Sequence, residues 1–262
     1  MNRAMFSGVA GLKAHQTKMD VIGNNIANVN TYGYKAQHAI FSDVFYQTLK
    51  GATAGTAAAT VGYGSKLAGI RSNMSTSSLQ STDYGLDCAI TGEGFFQVKN
   101  GDTTYYTKVG EFDIDTGTGN LVDVNGYNVL DKNGAVIKID NPADLSSNTG
   151  ISIGADGSVN VTKNGTTTVV GTIGLANFPN PAGLQAVGSG YYAKSANSGT
   201  PKLTDPGKDG TGALQSSSLE MSNVDLASEF ADMITTQRGF QANSRIISVS
   251  DTMLEELINL KR

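Results

Sequence analysis

The sequence predicts an α+β protein: long N- and C-terminal helices that pair as a coiled coil, with an antiparallel β-rich central body. Three observations carry this. Of the 32 glycines, 27 fall between residues 36 and 221, together with all five prolines (Pro142, Pro179, Pro181, Pro201 and Pro206). The ends are therefore free of proline, the main helix breaker, and the middle is full of turn formers. Apolar residues recur at heptad spacing in both ends, and Asn–Gly or Asp–Gly pairs punctuate the middle.

The N-terminal arm places Met5, Val9, Leu12, Gln16, Met19, Gly23, Ile26 and Asn30 at alternating steps of four and three, with Ile22 beside the defective Gly23 position. That spacing predicts an amphipathic helix of roughly 28 residues, about 42 Å long. The C-terminal arm keeps the same rhythm through Leu226, Phe230, Met233, Gln237, Phe240, Ser244, Ile247, Asp251, Leu254 and Ile258. Ser222–Asn223–Val224–Asp225 has the spacing of a capping box with Asp in place of Glu. Asp225, Glu229 and Asp232 lie near the start of this helix and Lys261 and Arg262 at its end, the order that suits the helix dipole. Ile234, Ile246, Val249, Met253, Leu257 and Leu260 are apolar but off the heptad stripe. Such a wide apolar surface suits either a helix buried in its own domain or one that also packs against neighbouring subunits.

The middle reads as short strands joined by turns. Asn100–Gly101, Asn125–Gly126, Asn133–Gly134, Asp156–Gly157 and Asn164–Gly165 predict type I′ hairpin turns. Residues 51–60 and 195–213 are low in complexity and are expected to be exposed and flexible. The chain thus divides into a helical core domain (1–33 with 222–262), an extended linker (34–75) and a β-rich body (76–221).

Composition removes most chemistry. Lys and Arg total 19 against 23 Asp and Glu, a net charge of −4, without the basic surplus of a nucleic-acid binder. One cysteine, Cys88, makes neither an internal disulfide nor a zinc–thiolate cluster, and it is expected to be a half-buried structural thiol. The two histidines, His15 and His38, are expected at the surface or in subunit contacts. Asp113, Asp115, Asn120, Asp123 and Asp131 invite a calcium reading, but an EF-hand loop begun at Asp113 would need Glu where Val124 stands. These carboxylates are expected to serve turns. Gly92–Glu93–Gly94 begins like a dinucleotide fingerprint, yet Gln97 occupies the third glycine position. No catalytic, cofactor-binding or metal-ligating residues are assigned, and no cofactor. No stretch approaches the ~18 apolar residues of a membrane span, so membrane insertion is not expected. Nor does the N-terminus carry the apolar region of a cleavable signal peptide. A secreted β-rich adhesive protein would share this poverty of chemistry but has no need of two long terminal helices.

The run Asp20–Val21–Ile22–Gly23–Asn24–Asn25–Ile26–Ala27–Asn28–Val29–Asn30–Thr31–Tyr32–Gly33–Tyr34–Lys35 resembles the axial proteins of the bacterial flagellum, the rod and hook family. The resemblance continues in Phe41–Ser42–Asp43 and in the stretch from Gly85 to Val98, and returns at Ser222–Asn223–Val224–Asp225 and in Met233–Ile234 to Gln237–Arg238. Cys88 stands where an aliphatic residue is expected, and residues 100–220 match in character alone. The resemblance implies a tubular homopolymer without enzymatic activity, its terminal helices lining a channel and its body outside. It further implies other axial proteins at the polymer ends, an export apparatus and cap as partners, and export unfolded through the flagellum's own apparatus without signal cleavage.

Within the family, the segment Gly64–Ile70 and the ending Leu257–Arg262 look like hooks, whereas the length around Gln47–Leu49 and residues 53–60 fits the distal rod. The expectation leans to an extracellular hook, with the basal-body distal rod as the alternative. Subunit packing is expected from Met5, Val9, Leu12, Met19, Ile22 and Ile26 in the first arm and from Leu226, Phe230, Met233, Phe240, Ile247, Leu254 and Ile258 in the second. Asn24, Asn25, Asn28 and Asn30 are poor helix formers in a helical stretch. They are read either as a fraying end before a left-handed Gly33 or, preferably, as amides that bond adjacent subunits.

Overall fold

In the computed structural model, residues 2–51, 57–139, 150–163 and 165–260 are described. The expectations for residues 52–56, Pro142, Asn164, Lys261 and Arg262 lie outside these. The chain forms two compact units. One comprises residues up to Val29, Ala36–Asn73 and the residues from Val224 onward; the other comprises Asn30–Lys35 and Met74–Asn223.

In the first unit, helix α1 (Asn2–Ala27) packs against helix α2 (Leu226–Asn259). Helix α1 ends at Ala27, short of Gly33, because the local bonds of Asn28 and Val29 close the last turn onto Asn24, Asn25 and Ile26. The start of α2 corrects the capping-box expectation. Asp225 is the N-cap itself: its carboxylate accepts from Ala227 N at 3.0 Å and its carbonyl from Glu229 N at 3.0 Å. A cap at Ser222 would have needed helical geometry at Asp225, whose backbone is extended.

The segment expected as an extended linker is extended but hydrogen-bonded. Gln37–Asp43 pairs antiparallel with Ser65–Ser72, with a bulge after Ile40, and both strands touch α1. Beyond them, Tyr46–Lys50 pairs with Ala59–Gly62 in a ribbon exposed on both faces, carrying Phe45, Tyr46 and Leu49 in the open.

The strands of the second unit pair antiparallel throughout its described residues. Its main sheet runs Gln185–Gly188, Tyr191–Ala193, Thr103–Thr107, Phe95–Asn100, Asn128–Val129, Leu121–Asp123, Phe112–Ile114, with Leu175–Asn177 joining Phe95–Asn100 to Lys202–Thr204. Gly150–Ile153, Ser158–Lys163 and Thr166–Thr172 form a three-stranded meander, and Cys88–Thr91 and Leu79–Ser81 pair with Ala213–Ser216 and Ser218–Glu220. Cys88, Ile90, Phe96, Val98, Phe112, Leu121, Val159 and Ile173 close one core, with the rings of Phe96 and Phe112 edge-to-face at 5.0 Å.

The turn expectation needs correction. Gly126, Gly134 and Gly157 have positive φ, but the Asn or Asp before each does not. The turns close one residue earlier, with Gly126 N bonded to Asp123 O and Gly134 N to Asp131 O. Asp123 Oδ1 accepts from Asn125 N and Tyr127 N at 3.0 Å, a side-chain bond that favours this longer loop over a two-residue type I′ turn. Residues 195–213 also differ from expectation. Ser198 is fully buried, exchanging bonds with Ser195, and Thr211 is tied to Asp205 and Lys208, so small hydroxyls satisfy the backbone and order the loop.

Candidate assembly surface

The seam between α1 and α2 is read directly from the covered residues of α2. Glu229, Met233, Thr236, Phe240, Asn243, Ile247, Ser250 and Leu254 recur at steps of four and three and are buried or half-buried. Half of this stripe, Met233, Phe240, Ile247 and Leu254, is the expected heptad column. The other half differs: α1 covers Glu229, Thr236, Asn243 and Ser250 instead of Phe230, Gln237, Ser244 and Asp251. The helices approach closely there because small residues meet larger ones. A Cβ on Gly11 would lie 2.7 Å from Asn243 Nδ2, and one on Gly239 would lie 2.6 Å from the His15 imidazole. His15 therefore belongs to a contact within the chain. Lys18 Nζ and Asp232 Oδ1 add an exposed pair at 3.3 Å, a minor contribution once screened.

This registry leaves apolar residues on both sides of the covered stripe of α2 exposed within the chain. Leu226, Phe230, Ile234, Ile246, Val249, Met253, Leu257, Ile258 and Leu260 are exposed, Phe230 to 50% and Ile258 to 69%. On α1, Phe6 and Val9 are exposed, whereas Met5, Leu12, Met19 and Ile26 are half-buried and Ile22 is buried. The exposed residues of α2 fall in two groups, Leu226–Ile234 and Ile246–Leu260, and exposed apolar surface of this extent on one helix is the mark of an interaction surface.

The asparagines divide into two roles. Asn25 is fully buried and joins three elements: its Nδ2 donates to Gln37 O and to Glu229 Oε1, both at 2.8 Å, and its Oδ1 accepts from Gln37 N at 2.9 Å. An amide is the one neutral side chain that can donate to a carboxylate and also satisfy both groups of a strand residue. Asn28 Nδ2 donates to Asn24 O and Oδ1 at 2.9 Å, so these two brace the last turn of α1. Glu229 was not visible as a site residue in the sequence; its i, i+7 relation to Thr236, Asn243 and Ser250 would have exposed it only if a polar column had been sought.

In the second unit, Lys35 Nζ meets Glu220 Oε1 at 2.7 Å with both side chains buried, and Lys108 Nζ lies 3.9 Å from Oε2. Burial, opposed by Glu220, lowers the Lys108 ammonium from 10.5 to about 8. Cys88 is fully buried rather than half-buried, and desolvation pushes its thiol up to about 12. The turn carboxylates considered for calcium bind their own loops: Asp115 accepts from Gly117 N, and Asp123 from Asn125 N and the Tyr191 hydroxyl. Among the described residues, no cluster of His, Cys, Asp and Glu has metal-holding geometry, and no helix is long and apolar enough to cross a membrane.

Comparison with known proteins matches the two helical arms and the body start separately. Residues 5–35 match the flagella basal body rod protein family, residues 89–161 the D1 domain of the flagellar hook protein FlgE/F/G family, and residues 215–260 the C-terminal region of the flagellar basal body rod FlgEFG proteins. Over full length, the chain is 49% identical to the flagellar basal-body rod protein FlgG of Bacillus subtilis, covering 100% of each. It is 38% identical to the FlgG of Borreliella burgdorferi, again covering 100% of each. The flagellar hook protein FlgE of Borreliella burgdorferi is 26% identical over an alignment of 441 residues that spans both chains fully. With likeness of this extent running through both arms and the body, the chain belongs to the flagellar rod and hook family of structural proteins.

Proposed function

We propose that this chain is the subunit of the flagellar distal rod, polymerising head-to-tail into a stiff tube that transmits torque and encloses an export channel. The observation that carries the rod reading over the hook reading is the full-length 49% identity to a basal-body rod protein, against 26% to a hook protein whose alignment needs 441 positions. This reverses the lean that the sequence alone suggested. Self-assembly is supported by the exposed apolar residues of α2, in the groups Leu226–Ile234 and Ile246–Leu260, which a lone chain leaves in water. In this reading α1 and α2 pair as a coiled coil in the helical core, and neighbouring copies cover these residues and the remaining packing residues of both arms. A contact that repeats without closing yields a filament. Partners are further copies of this chain, other axial proteins at the polymer ends, and the export apparatus and cap; the location is the flagellar basal body.

The test is to locate an epitope-tagged copy in purified hook–basal bodies by electron microscopy. Label along the straight shaft below the hook is expected. Label along the curved hook would transfer the assignment to the hook.

A further inference from the structure

Residues Asn30–Lys35 belong to the β-rich unit although Val29 and Ala36, on either side, belong to the helical one. These six residues are held as a bound peptide would be. Gly33 N donates to Glu220 O at 2.8 Å, the Tyr32 hydroxyl to Gln80 Oε1 at 3.3 Å, and Lys35 Nζ to Ser75 O at 2.8 Å and Glu220 Oε1 at 2.7 Å. At Gly33, with φ +66°, a Cβ would meet Val109 Cγ2 at 2.8 Å, so the segment lies flush against the body.

Glu220 has a second suitor. Lys108 Nζ stands 3.9 Å from Oε2, donates to Gly92 O at 2.9 Å, and sits 5.5 Å over the Phe95 ring. Lys35, Lys108 and Glu220 are all buried, so two cations share one carboxylate out of water. Without Lys35, Glu220 keeps a counter-charge, Lys108 Nζ 3.9 Å from Oε2, and the Ser77 N–H, which donates to Oε1 at 2.9 Å. Docking Lys35 adds its contacts and also adds a buried like charge, a balance set by desolvation and Coulomb repulsion.

We propose that Asn30–Lys35 is a removable strap: Lys35 and Lys108 compete for Glu220, so the folded body exists in strap-docked and strap-released states. The titratable groups around Lys108 are Lys35, Glu220 and Glu93; Tyr192, with Tyr34 beside it, faces Glu220. In the docked state Lys108 titrates at about 8, lowered first by burial and further by Lys35. Release removes that repulsion and raises the value, so docking expels a proton once pH exceeds about 8, and the docked fraction grows with pH above it.

Hydrogen exchange of the full-length chain, followed by NMR and corrected for intrinsic rates, reads the strap at the Gly33 amide. The Cys88 amide, bonded to Gly110 O at 2.8 Å, reads the body. We expect Gly33 to open at least about tenfold more often than Cys88, and its protection to rise several-fold from pH 7 to 9 while that of Cys88 does not follow. Lys35→Met should cost Gly33 about tenfold in protection with Cys88 unchanged, and Lys108→Met should abolish the pH dependence. Equal protection of Gly33 and Cys88 at every pH would mean that the strap is an inseparable part of the body and overturn the proposal. A flat pH series for Gly33 would overturn the competition, and this wild-type series decides even if Lys108→Met does not fold.

Discussion

The imidazole of His15 rests directly on Gly239: a Cβ at that position would lie 2.6 Å from Cε1 and Nε2. Gly239 is the lone glycine of α2, and the close approach explains a residue that helix propensity disfavours. The contact is reciprocal one turn on, where Asn243 occupies the space over Gly11.

Gly239→Ala should therefore weaken the helix pair. Alanine gains up to about 1 kcal/mol of helix propensity, but the steric conflict costs about 1–3 kcal/mol. Gly23→Ala is the matched control, since nothing lies within 4 Å of a Cβ there and the propensity gain stands alone. Thermal unfolding followed by circular dichroism at 222 nm should show a lower midpoint for Gly239→Ala and an equal or higher one for Gly23→Ala. The reverse order would mean that the helices do not meet at His15.

The Asn25 bridge should tolerate no charge. Asn25→Asp would set a carboxylate against Glu229 Oε1, now 2.8 Å from the amide nitrogen, and strand both groups out of water. A loss of about 3–5 kcal/mol is expected, with partial recovery in the Asn25→Asp, Glu229→Gln double variant because an amide again faces a carboxylate. Denaturant titration of the four proteins completes the cycle. Additive losses would show that the two side chains do not interact.

Cys88 should be inert while the protein is folded. Its thiol, moved by burial from 9.0 to about 12, remains protonated at pH 8, so alkylation should proceed only through unfolding. Because the folded value is the higher one, the unfolded chain loses this proton first, and the thiol contribution to stability falls as pH rises from about 9 towards 12. Iodoacetamide labelling at pH 8 should be at least about a hundredfold slower without denaturant than in 6 M guanidinium. Comparable rates would place the thiol at the surface.

Much of the architecture was legible in the residues. The column Met233, Phe240, Ile247 and Leu254 is apolar and covered, and the crowding of glycine and proline between residues 36 and 221 marked the β-rich part. The second half of the seam was illegible because Glu229, Thr236, Asn243 and Ser250 look like a solvated face; only the partner helix, with Gly11 and His15 opposite, makes them interior. Turn type was misjudged where Asp123 and Asp131 bond the loop from outside the Asn–Gly pair. The burial of Lys35 could not be read from a lysine at all, since it depends on Glu220, 185 residues further along.

The exposed apolar surface of α2 separates folding from assembly. Phe230→Asp and Leu257→Asp alter side chains exposed in the single chain, so monomer stability should change by no more than about 0.5 kcal/mol. Phe240→Asp, at a half-buried position of the covered stripe, should destabilise the monomer by about 1–3 kcal/mol by removing apolar packing and setting a charge in the seam. All three should abolish polymer. Normal tubes from Phe230→Asp or Leu257→Asp would leave those residues facing solvent.

The most direct test of the central claim, that neighbouring copies cover this surface, is hydroxyl-radical footprinting of monomer and polymer side by side. Phe230, Met253 and Leu257 should be oxidised readily in the monomer and at least about tenfold more slowly in the polymer, while Tyr192, already buried in the body, should change little. Equal oxidation of Phe230, Met253 and Leu257 in both forms would contradict the account.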